Sequence, residues 1–100
     1  MITVKLYRNS QGGIYAFDAD NHGKSYVCAA VSALILNTVN SISALTAEKY
    51  TCDYDKKGGH ISFSLADRES DSHDARLLLN AMELGLDDIQ RQYSKQLQIL

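Results

Sequence analysis

The sequence predicts an α+β fold in the order ββαββα, an antiparallel sheet covered by two helices, with a possible short C-terminal strand. Two observations carry this. Four short segments alternate apolar and polar residues and fall into two hairpin-like pairs, and each pair is followed by a long segment of helical periodicity. The length of 100 residues, 45% hydrophobic and 22% charged, fits one compact domain over residues 1–100 with a single core. No proline interrupts any element.

Ile2, Val4 and Leu6 alternate with Thr3, Lys5 and Tyr7, the pattern of a half-buried strand. Asn9-Ser10-Gln11-Gly12-Gly13 reads as a turn, and Ile14 to Asp20 returns with Tyr15, Phe17 and Ala19 on one face. A polar loop from Asp20 to Ser25 leads into a helix whose stripe is Val27, Val31, Leu34, Thr38, Ile42 and Leu45. Its other side carries Ala29, Ala33, Leu36 and Val39, so more than one side is expected to be covered, either by the sheet and the second helix or by another subunit, as in a homodimer. Lys49 to Tyr54 and His60 to Ala66 form the second hairpin around Asp55-Lys56-Lys57-Gly58-Gly59. Ser70-Asp71-Ser72 caps a second helix with the stripe Ala75, Leu78, Met82, Leu86, Ile89 and Tyr93. Gly85 weakens that helix by roughly 1 kcal/mol relative to alanine and allows close packing. Leu97 and Ile99 can form a last short strand, and the two ββα halves have the look of a loose architectural duplication.

A net charge of −2 and a pI near 5.8 provide no general basic field, so direct nucleic-acid binding is not predicted. The N-terminus meets a charge at Lys5 and lacks the apolar core of a secretory signal; the apolar run Val27 to Leu36 is broken by Ser32. The expectation is a cytoplasmic protein with no membrane partner. The two cysteines then read as thiols, outside any CxxC or zinc spacing. His22, His60 and His73 make no compact ligand motif with them, so neither a metal nor a cofactor is predicted.

Chemistry concentrates at Cys28. A helix start presents unpaired backbone N–H groups and the positive end of the dipole, which favour a thiolate, and His22 on the preceding loop can fold back over the sulfur. A packed core cysteine and a solvated loop histidine fit the same spacing. In the reactive reading Cys28 attacks a peptide carbonyl, His22 takes its proton, and first-turn amides hold the oxyanion. Ala29 and Ala30 are small enough for a substrate to approach, and Ser32 lies one turn on, where its hydroxyl can either border the same site or bond back to a helix carbonyl. Cys52, between Tyr50 and Tyr54, reads as packing.

Tyr26-Val27-Cys28-Ala29-Ala30-Val31-Ser32-Ala33-Leu34, followed by Asn37-Thr38-Val39-Asn40-Ser41-Ile42, resembles the ribosomal-processing cysteine protease family, Prp or YsxB-like. The likeness extends through Met1-Ile2-Thr3-Val4, Asp20-Asn21-His22, Leu45-Thr46 and Gly58-Gly59-His60. The resemblance implies a homodimeric α+β endopeptidase with a Cys28–His22 dyad. Its substrate would be the short N-terminal extension of bacterial large-subunit ribosomal protein twenty-seven. Substrates of the family carry hydrophobic and aromatic residues before the cut, which implies an apolar groove beside Cys28. This chain departs from the family in flanking the histidine with Asn21 and Gly23 and in a shorter loop before Cys28, where Ser25 stands in place of an aspartate. A non-catalytic module that binds the ribosomal protein or an assembly intermediate is the alternative that the short loop raises.

Overall fold

A computed structural model of the protein describes residues 1–21, 25–55 and 59–100. Lys56, Lys57 and Gly58 of the second hairpin turn lie outside the described residues, as does His22. The elements are β1 (Ile2–Arg8), β2 (Ile14–Asp20), α1 (Tyr26–Leu45), β3 (Tyr50–Tyr54), β4 (His60–Leu65), α2 (His73–Gln92) and β5 (Leu97–Ile99). The strands form one sheet in the order β3-β4-β2-β1-β5. All neighbours are antiparallel except β1 and β5, whose pairing is parallel, so the terminal strand makes the sheet mixed.

Both helices serve as crossovers between strands that run the same way, α1 from β2 to β3 and α2 from β4 to β5. The two crossovers move in opposite directions along the sheet, and their strands also point in opposite directions. With the usual right-handed connection, those two reversals cancel and put both helices on one face. The burial pattern agrees: Val4, Phe17, Ala19, Ile61, Phe63 and Leu65 on that face are buried. The opposite face carries Thr3, Lys5, Asp18, Asp20, His60, Ser62 and Ser64, none of them buried. The order β3-β4-β2-β1 is also symmetric about the β2–β4 pair, which relates the two ββα halves by an approximate two-fold.

Alternation misplaces one residue in β2. Tyr7 pairs with Ala16 but Arg8 pairs with Ile14, so Tyr15 is an extra residue in a bulge. The bulge returns Ile14 to the buried face, 4% exposed, in the place alternation gives to Tyr15. Tyr15 is instead half-buried, its ring 6.4 Å from that of Tyr7. The turn before it forms as the sequence predicts. The Asn9 side-chain oxygen accepts from the N–H groups of Gln11 and Gly13 at 3.0 and 2.9 Å, and Gly12 adopts φ +82°.

The helix stripes are centred differently from their prediction because each helix packs on both the sheet and the other helix. Ile35 and Leu79 are fully buried, Leu34 and Leu78 flank the core, and Leu45 and Tyr93 are exposed. The 20-residue α1 contains no charged residue and is long and apolar enough to cross a membrane by length and composition, with a mean hydropathy of 1.6. The apolar run Val27 to Leu36 continues as helix through Asn37, Thr38, Asn40, Ser41 and Ser43, all polar but uncharged. One side of α1 is nonetheless core: Val31, Ile35 and Ile42 are fully buried.

Gly85 is where the two helices meet most closely, since a Cβ there would lie 2.6 Å from Leu34 Cδ2. In Gly85→Ala, overpacking of about 1–3 kcal/mol outweighs about 1 kcal/mol of helix propensity. We expect a net loss of about 1 kcal/mol in urea unfolding. Adding Leu34→Ala should remove the clash and make the same alanine favourable, a sign reversal readable in a double-mutant cycle.

Candidate active site

Ser25 starts α1 from an extended conformation, φ −78° and ψ 167°, and its Oγ accepts from the Cys28 N–H at 3.2 Å. Its carbonyl accepts from the Ala29 N–H at 3.0 Å. Ser25 therefore caps the helix and fixes the turn that carries the thiol. Tyr26 and Val27 precede the first intrahelical bond, so helix geometry gives their N–H groups no acceptor within α1. Cys28 is 7% exposed, its neighbour Tyr26 94%.

Cys28 lies on a cleft of about 140 Å³ at the end of the sheet. Ser25 and Cys28 form its helix side, Met1 and Ile2 its β1 side, Asn21 its β2 side, and Lys95 with Gln96 close it ahead of β5. The β1 and β5 sides are tied by the Ile2 N–H, which donates to the Gln96 carbonyl at 2.8 Å. Sequence spacing could not show this, because Met1 and Lys95 come from the two ends of the chain. Only the parallel β1–β5 pairing brings them together.

Ala29, Ala30 and Ser32 do not line the described cleft: the two alanines are exposed and Ser32 is half-buried. The Ala29 amide is already bonded to the Ser25 carbonyl. His22, the sequence's partner for Cys28, lies outside the described residues. Asn21 beside it has φ +66°, a left-handed conformation that asparagine tolerates better than most residues.

Next to this turn the structure joins two residues that the sequence left apart. Asp20, the last residue of β2, stands opposite His60, the first of β4, and His60 Nδ1 lies 2.5 Å from Asp20 Oδ1. The hydrogen bond to Asp20, supported by the charges of Asp18 and Asp55, raises the His60 pKa above its ordinary value despite partial desolvation. Two residues along, Asp18 accepts from Tyr7 Oη at 2.8 Å and from Ser62 Oγ at 2.7 Å. These contacts span β1, β2 and β4, and only their register could have revealed them. Cys52 is the contrast to Cys28: burial pushes its thiol pKa up, only partly offset by a hydrogen bond with Tyr54. Among the described residues, no three His, Cys, Asp or Glu side chains group as a metal site.

A family model described as "Cysteine protease Prp" matches residues 1–98. The ribosomal processing cysteine protease Prp of Staphylococcus aureus is 32% identical, with 99% of this chain and 97% of that protein covered. That alignment runs over 105 positions, more than the 100 residues here, so the relative carries additional residues within the matched span. The crystal structure of the essential ribosomal processing protease Prp from S. aureus with a covalently linked product peptide superimposes with a TM-score of 0.90 at 33% identity. It covers 99% of this chain and 97% of that one. The same protease with a substrate peptide gives 0.89 at 31% identity, covering 100% and 98%.

The cap offers a direct test of how the thiol is held. Ser25→Ala removes the acceptor of the Cys28 N–H and should cost about 1 kcal/mol of stability in urea unfolding. The same variant should slow alkylation of Cys28 while leaving Cys52 labelling unchanged.

Proposed function

The chain belongs to the cysteine protease Prp family, and on that premise we propose that it removes the N-terminal extension of bacterial large-subunit ribosomal protein twenty-seven, using Cys28 and His22 as a dyad. The observation that carries this reading is the position of Cys28 in the first turn of α1, on a cleft at the end of the sheet. The S. aureus relatives, by their descriptions, process a ribosomal substrate and hold substrate and product peptides.

The chemistry is acyl transfer. The Cys28 thiolate attacks the scissile carbonyl, and the first-turn amides of α1, which have no acceptor within the helix, stabilise the oxyanion that develops. The C–N bond breaks, His22 gives its proton to the leaving amine, and a thioester remains on Sγ. His22 then deprotonates a water that attacks the thioester, which releases the extension as a carboxylate and restores the thiol. Exposed Tyr26 and Met1 offer apolar surface beside the cleft to a hydrophobic or aromatic segment before the cut. On this reading the reaction takes place in the cytoplasm.

The protein acts on this reading as a homodimer. The solvent side of α1 exposes Ala29, Ala30, Ala33, Asn37, Asn40 and Ala44 with no charge anywhere along the helix, the surface of a helix that packs on another protein. Continuity with the Cys28 turn commits that surface to a second copy, whose pairing would also frame the substrate groove.

A peptide copied from the extension should be cut by wild type and not by Cys28→Ala. Iodoacetamide should label Cys28 well ahead of Cys52 near neutral pH. Undiminished cleavage by Cys28→Ala would remove Cys28 as the nucleophile, and saturable binding without turnover would support the binding-module alternative. Ala33→Arg should convert a dimer to a monomer in sedimentation equilibrium. A wild-type monomer at micromolar concentration would end the dimer reading.

A further inference from the structure

We propose that Asp20 and His60 are a positioning pair that holds the wall of the Cys28 cleft, a role that rests on the protease reading above. Asp20 ends β2, and the next residue, Asn21, takes φ +66° and lines the cleft with Cys28. A non-glycine residue stays in that conformation only where its neighbours hold it. Its outer neighbour in the sequence is outside the described residues, so the described constraint is the one on Asp20.

That constraint is specific. The β2–β4 ladder sets Asp20 opposite His60, and Nδ1 to Oδ1 is 2.5 Å. Asp18, the neighbouring carboxylate on β2, is already bonded to Tyr7 and Ser62, and the described side-chain hydrogen bond of the imidazole goes to Asp20. From the β1 side Asp20 faces Thr3, which is uncharged. From the hairpin side His60 meets Asp55, whose N–H donates to the His60 carbonyl at 3.0 Å. Bonding at Nδ1 fixes the ring, as a carboxylate does for a histidine in many active sites.

The pair is a poor candidate for holding the fold. Its side chains are 42% and 51% exposed, and ion pairs that open to solvent add little to stability. Its location decides what it can do, since β2 delivers the chain directly to the cleft. Among the described residues, the charged groups that act on His60 are Asp20, Asp18 and Asp55, and each favours the imidazolium and raises its pKa above the ordinary 6.5. The charge-assisted bond is therefore fully present below about pH 6.5 and is lost as pH rises through the elevated His60 value.

The test compares wild type with His60→Ala, Asp20→Asn, the double variant and His60→Asn, whose amide can donate from the place of Nδ1. Cleavage of the extension peptide is followed as kcat and KM across the histidine range. His60→Ala and Asp20→Asn should each lower kcat/KM about tenfold or more through misplacement of the cleft wall. The double variant should fall no further than the singles, because the two residues act as one unit. His60→Asn should recover most of the activity and lose the component of the pH profile that titrates with His60. Thermal melting should stay near wild type in all four. Iodoacetamide labelling of Cys28, which needs no turnover, is read in parallel and should slow to the same extent in both singles and the double. Wild-type kcat/KM and labelling in His60→Ala would overturn the proposal, as would effects of the two residues that multiply independently. Absence of peptide cleavage by wild type counts against the protease reading instead, and the labelling rates then decide the role of the pair.

Discussion

The register between β2 and β4 is the constraint on which the rest of this structure depends. Phe17 stands directly opposite Phe63, with ring centroids 5.0 Å apart, and both are buried at the middle of the sheet. Tyr50 extends the stack from β3 with its ring 5.4 Å from Phe63. A slip of one residue would turn the apolar row to solvent and bring Asp18, Asp20 and Ser62 under the helices. The core therefore excludes every register but this one. The same register sets Asp20 against His60, so packing in the centre of the sheet determines the polar contacts at its end.

The approximate two-fold about that junction gives each half a helix start with the same geometry. Ser25 Oγ accepts from the N–H of Cys28, and Ser72 Oγ accepts from the N–H of Ala75, each three residues on. Both starts carry the partial positive charge of a 20-residue helix, so the dipole alone does not distinguish them. What differs is the side chain at the third position and the space in front of it. Cys28 opens on the cleft between the β1 and β5 ends, whereas Ala75 is buried and its first turn includes Asp74. The strand β5, paired with β1 at the sheet edge, brings Lys95 and Gln96 just ahead of it to one wall of that cleft.

Local chemistry made much of this legible in the sequence. The alternation of Ile2, Val4 and Leu6, the Asn9 to Gly13 turn and the cap at Ser72 all rest on neighbours within a few residues, and each forms as read. Errors arise where a distant element decides. The Tyr15 bulge is a property of the β1–β2 pair, and the shift of the helix centres to Ile35 and Leu79 follows from packing on two partners. The parallel orientation of β5 depends on where α2 returns the chain. The sequence points to Cys28 by its helix start and motif, but the residues that line the cleft with it were not legible, since Met1, Asn21 and Lys95 come from three separate loops and ends. His60 looked like an ordinary strand residue until the register placed it against Asp20.

The two cysteines show how position divides one chemistry into two behaviours. Cys52 is on β3 between Tyr50 and Tyr54, opposite Phe63, where burial disfavours the anion and the nearby Asp53 charge opposes it further. Cys28 is the more buried of the two, so burial alone would make it the less reactive. On the protease reading, its backbone reverses that ordering. A thiolate in the first turn of α1 meets the oriented peptide dipoles of a long helix, whereas a strand has little net dipole to offer. Cleft and dipole meet at Cys28, and the cap at Ser25 holds them in register. On the protease reading, reactivity at Cys28 is a property of the helix start, and Ser25, whose Oγ accepts from the Cys28 N–H, is the residue that holds that turn.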